Sequence, residues 1–294
     1  MLEIKSILCP IDFSEFSIRA YEYALSLAEH YGAKVMAQHI VELTHYPYAD
    51  YVATTGDYAA FCRTLHDAAR QRLEALLKTH GQDSTRSEFV VHEGTAPDCI
   101  LSYAEKRKAD LIVIGTHGRR GYDRLVLGSV TNRVMRRTSC PVLAICTPQQ
   151  ASAAETQKHV HHLRRILFCT DFSENSERAF RYAVSATEEY DAELVVLHVI
   201  EEARSSSTAQ AALATVRERL DKMIQQEMSK ALKIKTAVRV GKPYQQIIEL
   251  AAETHTDTIV MGVRGRGAVD LAVFGSTTYR VLQLGPCPVL AVHV

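Results

Sequence analysis

The sequence has no surplus of charge of either sign, which removes the simplest signature of a nucleic-acid or membrane-surface protein. Lys and Arg together number 34, and Asp and Glu together also number 34. Proteins that bind nucleic acid or anionic lipid through charge carry a basic excess. We therefore expect neither nucleic acid nor a membrane among the partners, and small neutral or anionic ligands are left as candidates.

Long apolar runs and paired cysteines are also absent. No apolar stretch approaches the roughly 20 residues that cross a bilayer, and Glu3 and Asp12 flank the first apolar run, unlike the layout of a secretion signal. The seven cysteines are scattered and form no Cys-x-x-Cys pair, so neither a disulfide framework nor a zinc site is predicted. The HVHH run at His159 to His162 has no Cys or carboxylate beside it and is expected to be solvated. These features predict a cytoplasmic protein without a metal site of its own.

A further absence concerns phosphoryl transfer. The sequence has no Gly-x-x-x-x-Gly-Lys-Ser/Thr motif, which would place a lysine on the outer phosphates and a hydroxyl on magnesium. No carboxylate has a spacing that identifies a general base, because Asp123 and Asp270 lie in a stretch that differs between the two copies described next. The sequence therefore favours binding of a ligand over its turnover, and we assign no catalytic residue.

What the sequence does contain is an internal repeat. IGTHGRRGYDRLVLGS, beginning at Ile114, returns as MGVRGRGAVDLAVFGS, beginning at Met261. ILCPIDFSE, beginning at Ile7, returns as ILFCTDFSE, beginning at Ile166. The repetition predicts two domains built on one plan.

The spacing of the repeat also places the difference between the copies. Equivalent residues lie 159 apart near position 12 and 147 apart from position 94 onward, so the first copy has 12 additional residues in between. That segment is rich in tyrosine, and we expect it to cover core or an interface. We predict domains at 1–147 and 164–294, joined by a polar linker at 148–163.

Within each copy, short apolar runs alternate with longer amphipathic ones in the order β-α-β-α-β-α-β-α-β. In the first copy the predicted helices cover 14–31, 61–80, 97–107 and 129–137. Runs such as LIVIG and TIVMG are typical of parallel strands that helices cover on both faces. The pattern predicts an α/β fold with a doubly wound, five-stranded parallel sheet in each domain, in the strand order 3-2-1-4-5.

This strand order predicts where a ligand binds. In open α/β sheets the ligand lies beyond the carboxyl ends of the strands where the order reverses, here between strands 1 and 4. Asp12 follows strand 1 and Gly115 ends strand 4. Gly118 and Gly128 would let main-chain amides approach phosphate oxygens, and Ser129 would cap a helix whose N-terminus binds an anion. Because Asp12 can accept hydrogen bonds from ribose or adenine, the combination favours a nucleotide over a bare phosphate.

Structural interpretations of the same residues stay open. A Gly-x-x-Gly loop is often only a turn, although its repetition with the same nine-residue spacing to Gly-Ser favours a phosphate site. Asp12 could instead support the helix that begins at Ser14. His39 and His198 are more simply explained as strand residues than as ligands. The GVRGRG segment at Gly262 fits no dinucleotide fingerprint because it follows the fourth strand.

These residues resemble the universal stress protein family, in particular its tandem two-domain members. The most specific part is the G-x-x-G-x9-G-[ST] motif, typical of the ATP-binding branch and present in both copies. The resemblance implies a stress-response or signalling protein that binds ATP between strands 1 and 4 of each domain, with or without Mg²⁺. It further implies that nucleotide changes conformation or protein partners, and that the domains pair through their last strands, with a homodimer as a further possibility.

The resemblance also implies the residues of each site. In domain 1 the base and ribose end maps to Pro10, Asp12 and Ile40, and the phosphate end maps to Gly115, His117, Gly118, Gly128, Ser129 and Val130. In domain 2 the corresponding residues are Cys169, Asp171 and Val199, then Gly262, Arg264, Gly265, Gly275, Ser276 and Thr277. Cys169 replaces a proline and Arg264 replaces a histidine, so the second site is expected to differ in affinity or metal dependence.

Other classes of function stay open. One is a slow ATPase or phosphotransferase, and another is an interaction module in which one or both pockets are degenerate. A flavoprotein of the electron-transfer type would share the topology, but bound flavin would make the purified protein yellow. The nucleotide that the protein releases on denaturation distinguishes these classes.

Overall fold

A computed structural model describes residues 3–43, 58–80, 87–118, 127–146, 163–201, 206–227, 232–263 and 275–293. These residues contain eight helices and ten strands. They form two compact units, one made of the described residues in 3–118 and 128–140, the other made chiefly of those from Pro141 onward. The predicted linker lies outside the described residues except for Leu163, so the domain boundaries stay a prediction.

The alternation of strands and helices is confirmed in both repeats. The first repeat contains β1 (Ser6–Pro10), α1 (Glu15–Tyr31), β2 (Lys34–Val41), α2 (Tyr58–His80), β3 (Ser87–Glu93), α3 (Ala96–Arg107), β4 (Leu111–Gly115), α4 (Ser129–Arg137) and β5 (Val142–Ile145). The second contains β6 (Arg165–Cys169), α5 (Glu174–Tyr190), β7 (Glu193–Ile200), α6 (Ser206–Glu227), β8 (Lys233–Val240), α7 (Pro243–Glu253), β9 (Thr258–Gly262), α8 (Ser276–Leu284) and β10 (Val289–Val292). The four helices predicted in the first copy end within three residues of these bounds.

The sheets have the predicted parallel topology with one difference. In the first unit the order is β3-β2-β1-β4, with each neighbouring pair parallel. In the second unit β8-β7-β6-β9-β10 is the predicted order 3-2-1-4-5, again with parallel neighbours. The fifth strand of the first repeat, β5, groups with the second unit, because it pairs there with β10 in antiparallel fashion.

The pairing of the two last strands is centred on equivalent residues. Leu143 of β5 lies opposite Leu290 of β10, and these leucines are 147 residues apart, the repeat distance. On either side, Val142 pairs with Ala291 and Ala144 pairs with Val289. The expected contact between last strands is therefore present as a strand pair whose two sides are equivalent.

The helices begin and end where local chemistry satisfies their backbone. Ser14 is the N-cap of α1, and its hydroxyl accepts a hydrogen bond from the Ser17 amide at 3.2 Å. Gly32 ends α1 at a φ of 67°, a left-handed conformation that glycine adopts without steric cost. Ser173 caps α5 in the same way, accepting from the Ser176 amide at 3.3 Å.

Apolar strands and a repeated carboxylate hold the sheets together. Every residue of β4 is buried, and Phe168 on β6 packs against Phe180 of α5 with ring centroids 5.0 Å apart. Asp110, just before β4, accepts hydrogen bonds from the Lys5 and Ser6 amides, both at 2.9 Å. Asp257 does the same for Arg164 and Arg165 at 2.7 and 2.8 Å. The carboxylates thus tie the central strand of each sheet to its neighbour where both begin.

None of the helices in the described part of the chain is both long enough and apolar enough to span a bilayer.

Candidate functional site

The turn between β1 and α1 places Asp12 at the carboxyl edge of the sheet. Its Oδ1 accepts hydrogen bonds from the Ser14 amide at 2.9 Å and the Ser14 hydroxyl at 2.5 Å. Asp171 Oδ1 makes the same contacts with Ser173, at 3.0 and 2.6 Å. Asp12 and Asp171 therefore support the start of the helix that follows them, which was the structural alternative for Asp12. Both side chains are only half-buried.

Gly118 brings the loop after β4 directly onto Asp12. A Cβ atom added at this glycine would lie 2.8 Å from Asp12 Oδ2, closer than real Cβ contacts allow. The main chain therefore passes against the carboxylate, and a side chain at this position would require Asp12 to move. The two sequence segments expected to meet at this edge do meet in the first repeat. Gly265, the equivalent glycine, lies outside the described residues.

Helix α4 begins at this same edge, and its N-cap corrects the prediction. Gly128 is the N-cap, and Ser129 is the first helical residue, exposed to solvent. The Gly128 amide donates to Thr116 O at 2.8 Å, and a Cβ at position 128 would lie 3.0 Å from that oxygen. The reason for glycine here is this close approach, because φ is −53°, an ordinary value that any residue adopts.

The start of α4 offers main-chain donors to a ligand. The first amides of a helix, here those of Ser129, Val130 and Thr131, have no partner within the helix. Among the described residues no side chain caps this helix. Such a terminus combines N–H donors with the positive end of the helix dipole, which suits a phosphate.

Helix α8 repeats this arrangement. Its N-cap is Gly275, followed by Ser276 and Thr277, and no side chain of the described residues caps it. The Gly275 amide donates to Val263 O at 3.2 Å, and an added Cβ would lie 3.0 Å from the same oxygen. The predicted phosphate end of the second repeat therefore has the same main-chain framework.

Gly115 and Gly262 have a structural reason to be glycine. An added Cβ at Gly115 would lie 2.9 Å from the main-chain carbon of Phe16, in the first turn of α1. At Gly262 it would lie 2.9 Å from the main-chain carbon of Asn175 in α5. These glycines let the helix start pack against the end of the strand. Their placement at the phosphate end stays a prediction.

Two threonines that sequence reasoning missed fix the helices to these strands. Thr131 Oγ1 donates to Gly115 O at 2.7 Å, and Thr278 Oγ1 donates to Gly262 O at 3.1 Å. Both hydroxyls are on residues with 3% exposure, so each bond orients its helix from inside the fold. The signal was available, because Thr131 and Thr278 are separated by the same 147 residues as the glycines.

The histidines near the site pack within the fold. His117 is 8% exposed, and its ring lies against Phe16 with centroids 5.0 Å apart. His39 and His198 belong to β2 and β7, which confirms them as strand residues. Their Nδ1 atoms lie 2.6 Å from Ile11 O and 2.8 Å from Thr170 O. Arg264, the counterpart of His117, lies outside the described residues.

The residues expected at the base end lie on adjacent strands. Pro10 is buried at the end of β1 and pairs with Gln38, so Ile40 of β2 stands level with Asp12. Cys169 is buried at the end of β6, and Val199 is half-buried on β7. Burial raises the pKa of the Cys169 thiol, so this cysteine stays protonated and contributes apolar contact rather than a nucleophile.

Two carboxylates and one histidine run that the sequence analysis named lie outside the described residues: Asp123, Asp270 and His159 to His162. In the part of the chain that is described, no group of three or more His, Cys, Asp or Glu side chains could hold a metal ion.

With this geometry in place, comparison with known proteins identifies the family. The model of the universal stress protein family matches residues 3–145 and again residues 162–293. The chain belongs to the universal stress protein family. It contains two copies of the family's domain in tandem, as the sequence predicted.

Individual relatives agree with the tandem arrangement. A universal stress protein of Methanocaldococcus jannaschii is 32% identical over 146 residues, covering 50% of this chain and 84% of that protein. One from Mycolicibacterium smegmatis is 26% identical over 98% of this chain and 96% of its own length. The crystal structure of a universal stress protein from Archaeoglobus fulgidus covers 99% of both chains with a TM-score of 0.71 and 22% identity, and shows that the fold is shared.

Proposed function

We propose that each repeat binds one ATP molecule at the carboxyl edge of its sheet. In the first repeat the adenosine lies against Asp12 and Ile40, and the phosphates lie against the main chain of 115–118 and 128–130. The second site is the equivalent set around Asp171 and Gly275. The protein is a cytoplasmic member of its family whose bound nucleotide changes its conformation or its choice of protein partner.

The observation that carries the proposal is the meeting of Asp12, Gly118 and the start of α4. The main chain of Gly118 lies against the Asp12 carboxylate. The hydrogen bond from Gly128 to Thr116 brings the start of α4 to the same short loop. A carboxylate that accepts from ribose hydroxyls and amides that donate to phosphate oxygens therefore flank one segment, 116–118.

Magnesium is proposed only as a companion of the phosphates. Mg²⁺ usually keeps several waters and takes the rest of its ligands from substrate phosphates and one or two carboxylates. A site of this kind does not require a cluster of protein ligands, so it is compatible with phosphates held mainly by main-chain donors. Titrations with and without Mg²⁺ measure its contribution.

The first test is the number and identity of bound nucleotides. Two sites with the same main-chain framework predict two ATP molecules per chain by calorimetry on protein stripped of nucleotide. Chromatography of the molecules released on denaturation should yield an adenine nucleotide. A stoichiometry near one would mean that one pocket is degenerate, and absence of saturable binding would favour an interaction module instead.

The second test is turnover, which we expect to be far below the range of about 1–1000 per second typical of enzymes. Rapid phosphoryl transfer requires a positioned nucleophile as well as charge stabilisation. Among the described residues, the site offers main-chain donors and a carboxylate that already accepts hydrogen bonds from Ser14. The measurement is steady-state phosphate release, with Asp12→Ala and Gly128→Val as controls for contaminating ATPase. Release of several phosphates per second that both variants abolish would establish an enzyme instead.

A further inference from the structure

The residue after the site aspartate has an unusual backbone conformation in both repeats. Phe13 has a φ of 64° and Phe172 a φ of 58°, in the left-handed region that a bulky side chain rarely adopts. The other described non-glycine residues with positive φ are Lys108, Asp191 and His255, all at the C-terminal ends of helices, where this conformation is common. The two phenylalanines instead precede a helix, so surrounding contacts must stabilise them.

Those contacts come from an arginine and a histidine, which we call the Arg-Phe-His cluster of each repeat. In the first repeat the Arg72 guanidinium carbon lies 4.1 Å from the centre of the Phe13 ring, and the His39 ring centre lies 4.7 Å from it. A cation over an aromatic ring is attracted to its negative face. The cluster therefore joins α2, β2 and the turn after β1.

The second repeat has the same cluster from equivalent positions. Arg219 lies 4.1 Å from the centre of the Phe172 ring, and the His198 ring centre lies 4.6 Å from it. Arg72 and Arg219 are 147 residues apart, the repeat distance of the second half of each copy. The cluster is thus kept although the loops and the residues around the two sites have diverged.

The cluster holds the chain on both sides of the site aspartate. Before Asp12, the carbonyl oxygen of Ile11 is hydrogen-bonded to His39 Nδ1. After it, the ring of Phe13 is in contact with His39 and Arg72. Because both neighbours are held, the main chain at Asp12 is held between them, and the hydrogen bonds from Ser14 then orient its carboxylate.

The arginine is the most separable part of the cluster. Helix α2 is largely exposed, with Ala69 and Leu73 as its buried residues, and Arg72 itself is exposed. Arg219 on α6 is exposed as well. Each guanidinium can therefore be removed without opening a cavity in the core, unlike Phe13 or His39.

We infer that Arg72 and Arg219 are positioning residues of the two nucleotide sites, acting on the adenosine end through Phe13 and Phe172. Neither arginine needs to touch the nucleotide. Each stabilises the left-handed turn that presents Asp12 or Asp171 to the ribose or base. This inference rests on the proposed function, because it assigns these residues to the same sites.

The test compares ligands that reach different ends of the site. The double variant Arg72→Ala/Arg219→Ala is titrated with AMP and with inorganic tripolyphosphate, which has phosphates but no adenosine. Since an exposed cation–π contact contributes only modestly, we expect AMP affinity to fall about two- to fivefold and tripolyphosphate affinity to stay unchanged. The matched control is Arg63→Ala/Arg217→Ala, which removes exposed arginines from the same two helices.

A second measurement reports on the turn without any ligand. Chemical shifts and scalar couplings of selectively labelled phenylalanine give the φ angles of Phe13 and Phe172. We expect the full left-handed signature in the unaltered chain and in the Arg63/Arg217 control. In the Arg72/Arg219 variant we expect a partial loss of it, because removing one exposed cation–π contact shifts the population of the turn only in part.

The outcomes distinguish a failure of the positioning role from a failure of ATP binding. AMP affinity equal to that of the control, or an equal loss for both ligands, overturns the inference and leaves ATP binding standing. A left-handed signature that is as complete in the Arg72/Arg219 variant as in the Arg63/Arg217 control also overturns it. If the unaltered chain binds neither ligand, the proposed function fails and the positioning role fails with it.

Discussion

In the first repeat Phe16 packs against His117, whereas the second repeat has Asn175 and Arg264 at the corresponding positions. Both partners of the Phe16–His117 ring contact are therefore replaced in the second repeat. Close by, the main chain has not changed: the glycine that ends β4 or β9 would bring a Cβ to 2.9 Å from the facing helix in both repeats. The framework of the two sites is shared, and the side chains around it differ.

A second difference lies among β2, β3 and α3 of the first repeat and their counterparts in the second. In the first repeat Gln38 Nε2 lies 2.8 Å from His92 Nδ1 and donates to Cys99 O at 3.1 Å. In the second repeat these three positions are Leu197, Arg239 and Gln246, and Arg239 pairs instead with Glu253. The hydrogen-bonded Gln38 and His92 of the first repeat thus correspond to the apolar Leu197 and the Arg239–Glu253 ion pair of the second. The two copies therefore share main-chain geometry and differ in their polar side-chain contacts.

The largest expected effect tests whether both frameworks bind phosphate. Gly128→Val should remove binding at the first site and Gly275→Val at the second, each leaving one ATP per chain. Because a phosphate would lose at least two charge-assisted hydrogen bonds, we expect affinity at the altered site to fall about 100-fold or more. Calorimetry measures both stoichiometry and affinity.

The matched control for this pair is Ser129→Ala. Ser129 is exposed and its main-chain amide, not its hydroxyl, is assigned to the phosphate, so the substitution should change affinity little. Circular dichroism checks that each valine variant keeps its fold, since the added side chain also crowds a carbonyl oxygen. Unchanged binding by folded valine variants would show that the phosphate assignment is wrong.

The next largest effect tests the close packing of Gly115 and Gly262 against the facing helices. Gly115→Ala and Gly262→Ala both place a Cβ 2.9 Å from a helix backbone. Crowding of this kind costs about 1–3 kcal/mol of unfolding free energy, and the equal distances predict equal losses in the two repeats. Urea unfolding gives the values. A neutral result at either glycine would mean that the strand and helix are not in such close contact there.

Gly32→Ala is the comparison for these two substitutions. At this residue an added Cβ meets nothing within 4 Å, but φ is +67°. The unfolding free energy that Gly32→Ala loses, about 1–2 kcal/mol for a left-handed residue other than glycine, comes from backbone conformation alone. Comparing it with the losses at Gly115 and Gly262 separates the cost of backbone conformation from the cost of crowding.

The smallest expected effect concerns pH and exists in one repeat only. Burial lowers the pKa of His92, and the nearby charge of Lys106 lowers it further. The unfolded chain therefore binds a proton before the folded chain does, so stability falls as the pH drops below about 6.5, the ordinary pKa of histidine. Above that pH the group is neutral in both states and has no effect.

Urea midpoints between pH 7.5 and pH 5 measure this dependence. His92→Gln should reduce it, whereas His66→Gln, at an exposed residue of α2, should not. The second repeat has Arg239 in place of a histidine at the equivalent position. Equal pH dependence in the two histidine variants would contradict the difference between the repeats.

Much of the fold follows from the sequence because its signals are local. The nearly all-apolar runs of β4 and β9 predict parallel strands, and the helix start at Ser14 follows from local residues, without knowledge of any distant contact. The repeat then predicts two domains, and the strand order predicts where Asp12 and Gly118 meet.

The rest could not be predicted because it depends on contacts between distant segments. Nothing in the sequence near Phe13 indicates that Arg72 will lie over its ring. The packing of Gly115 against Phe16 is likewise visible only in three dimensions. The N-cap of α4 was placed one residue late, since a serine is the usual cap and the hydrogen bond from Gly128 to Thr116 has no local signature.

The antiparallel pair of β5 and β10 has a consequence for how this contact depends on concentration. Because Leu143 faces Leu290, its own equivalent, the pairing is of the isologous kind that two identical single-domain chains could form between them. In separate chains such a contact weakens on dilution, following mass action. Joined in one chain, each strand meets its partner at an effective concentration that a covalent connection sets, on the order of millimolar for short flexible connections. The strand pair in this protein should therefore persist at dilutions that would separate the corresponding dimer.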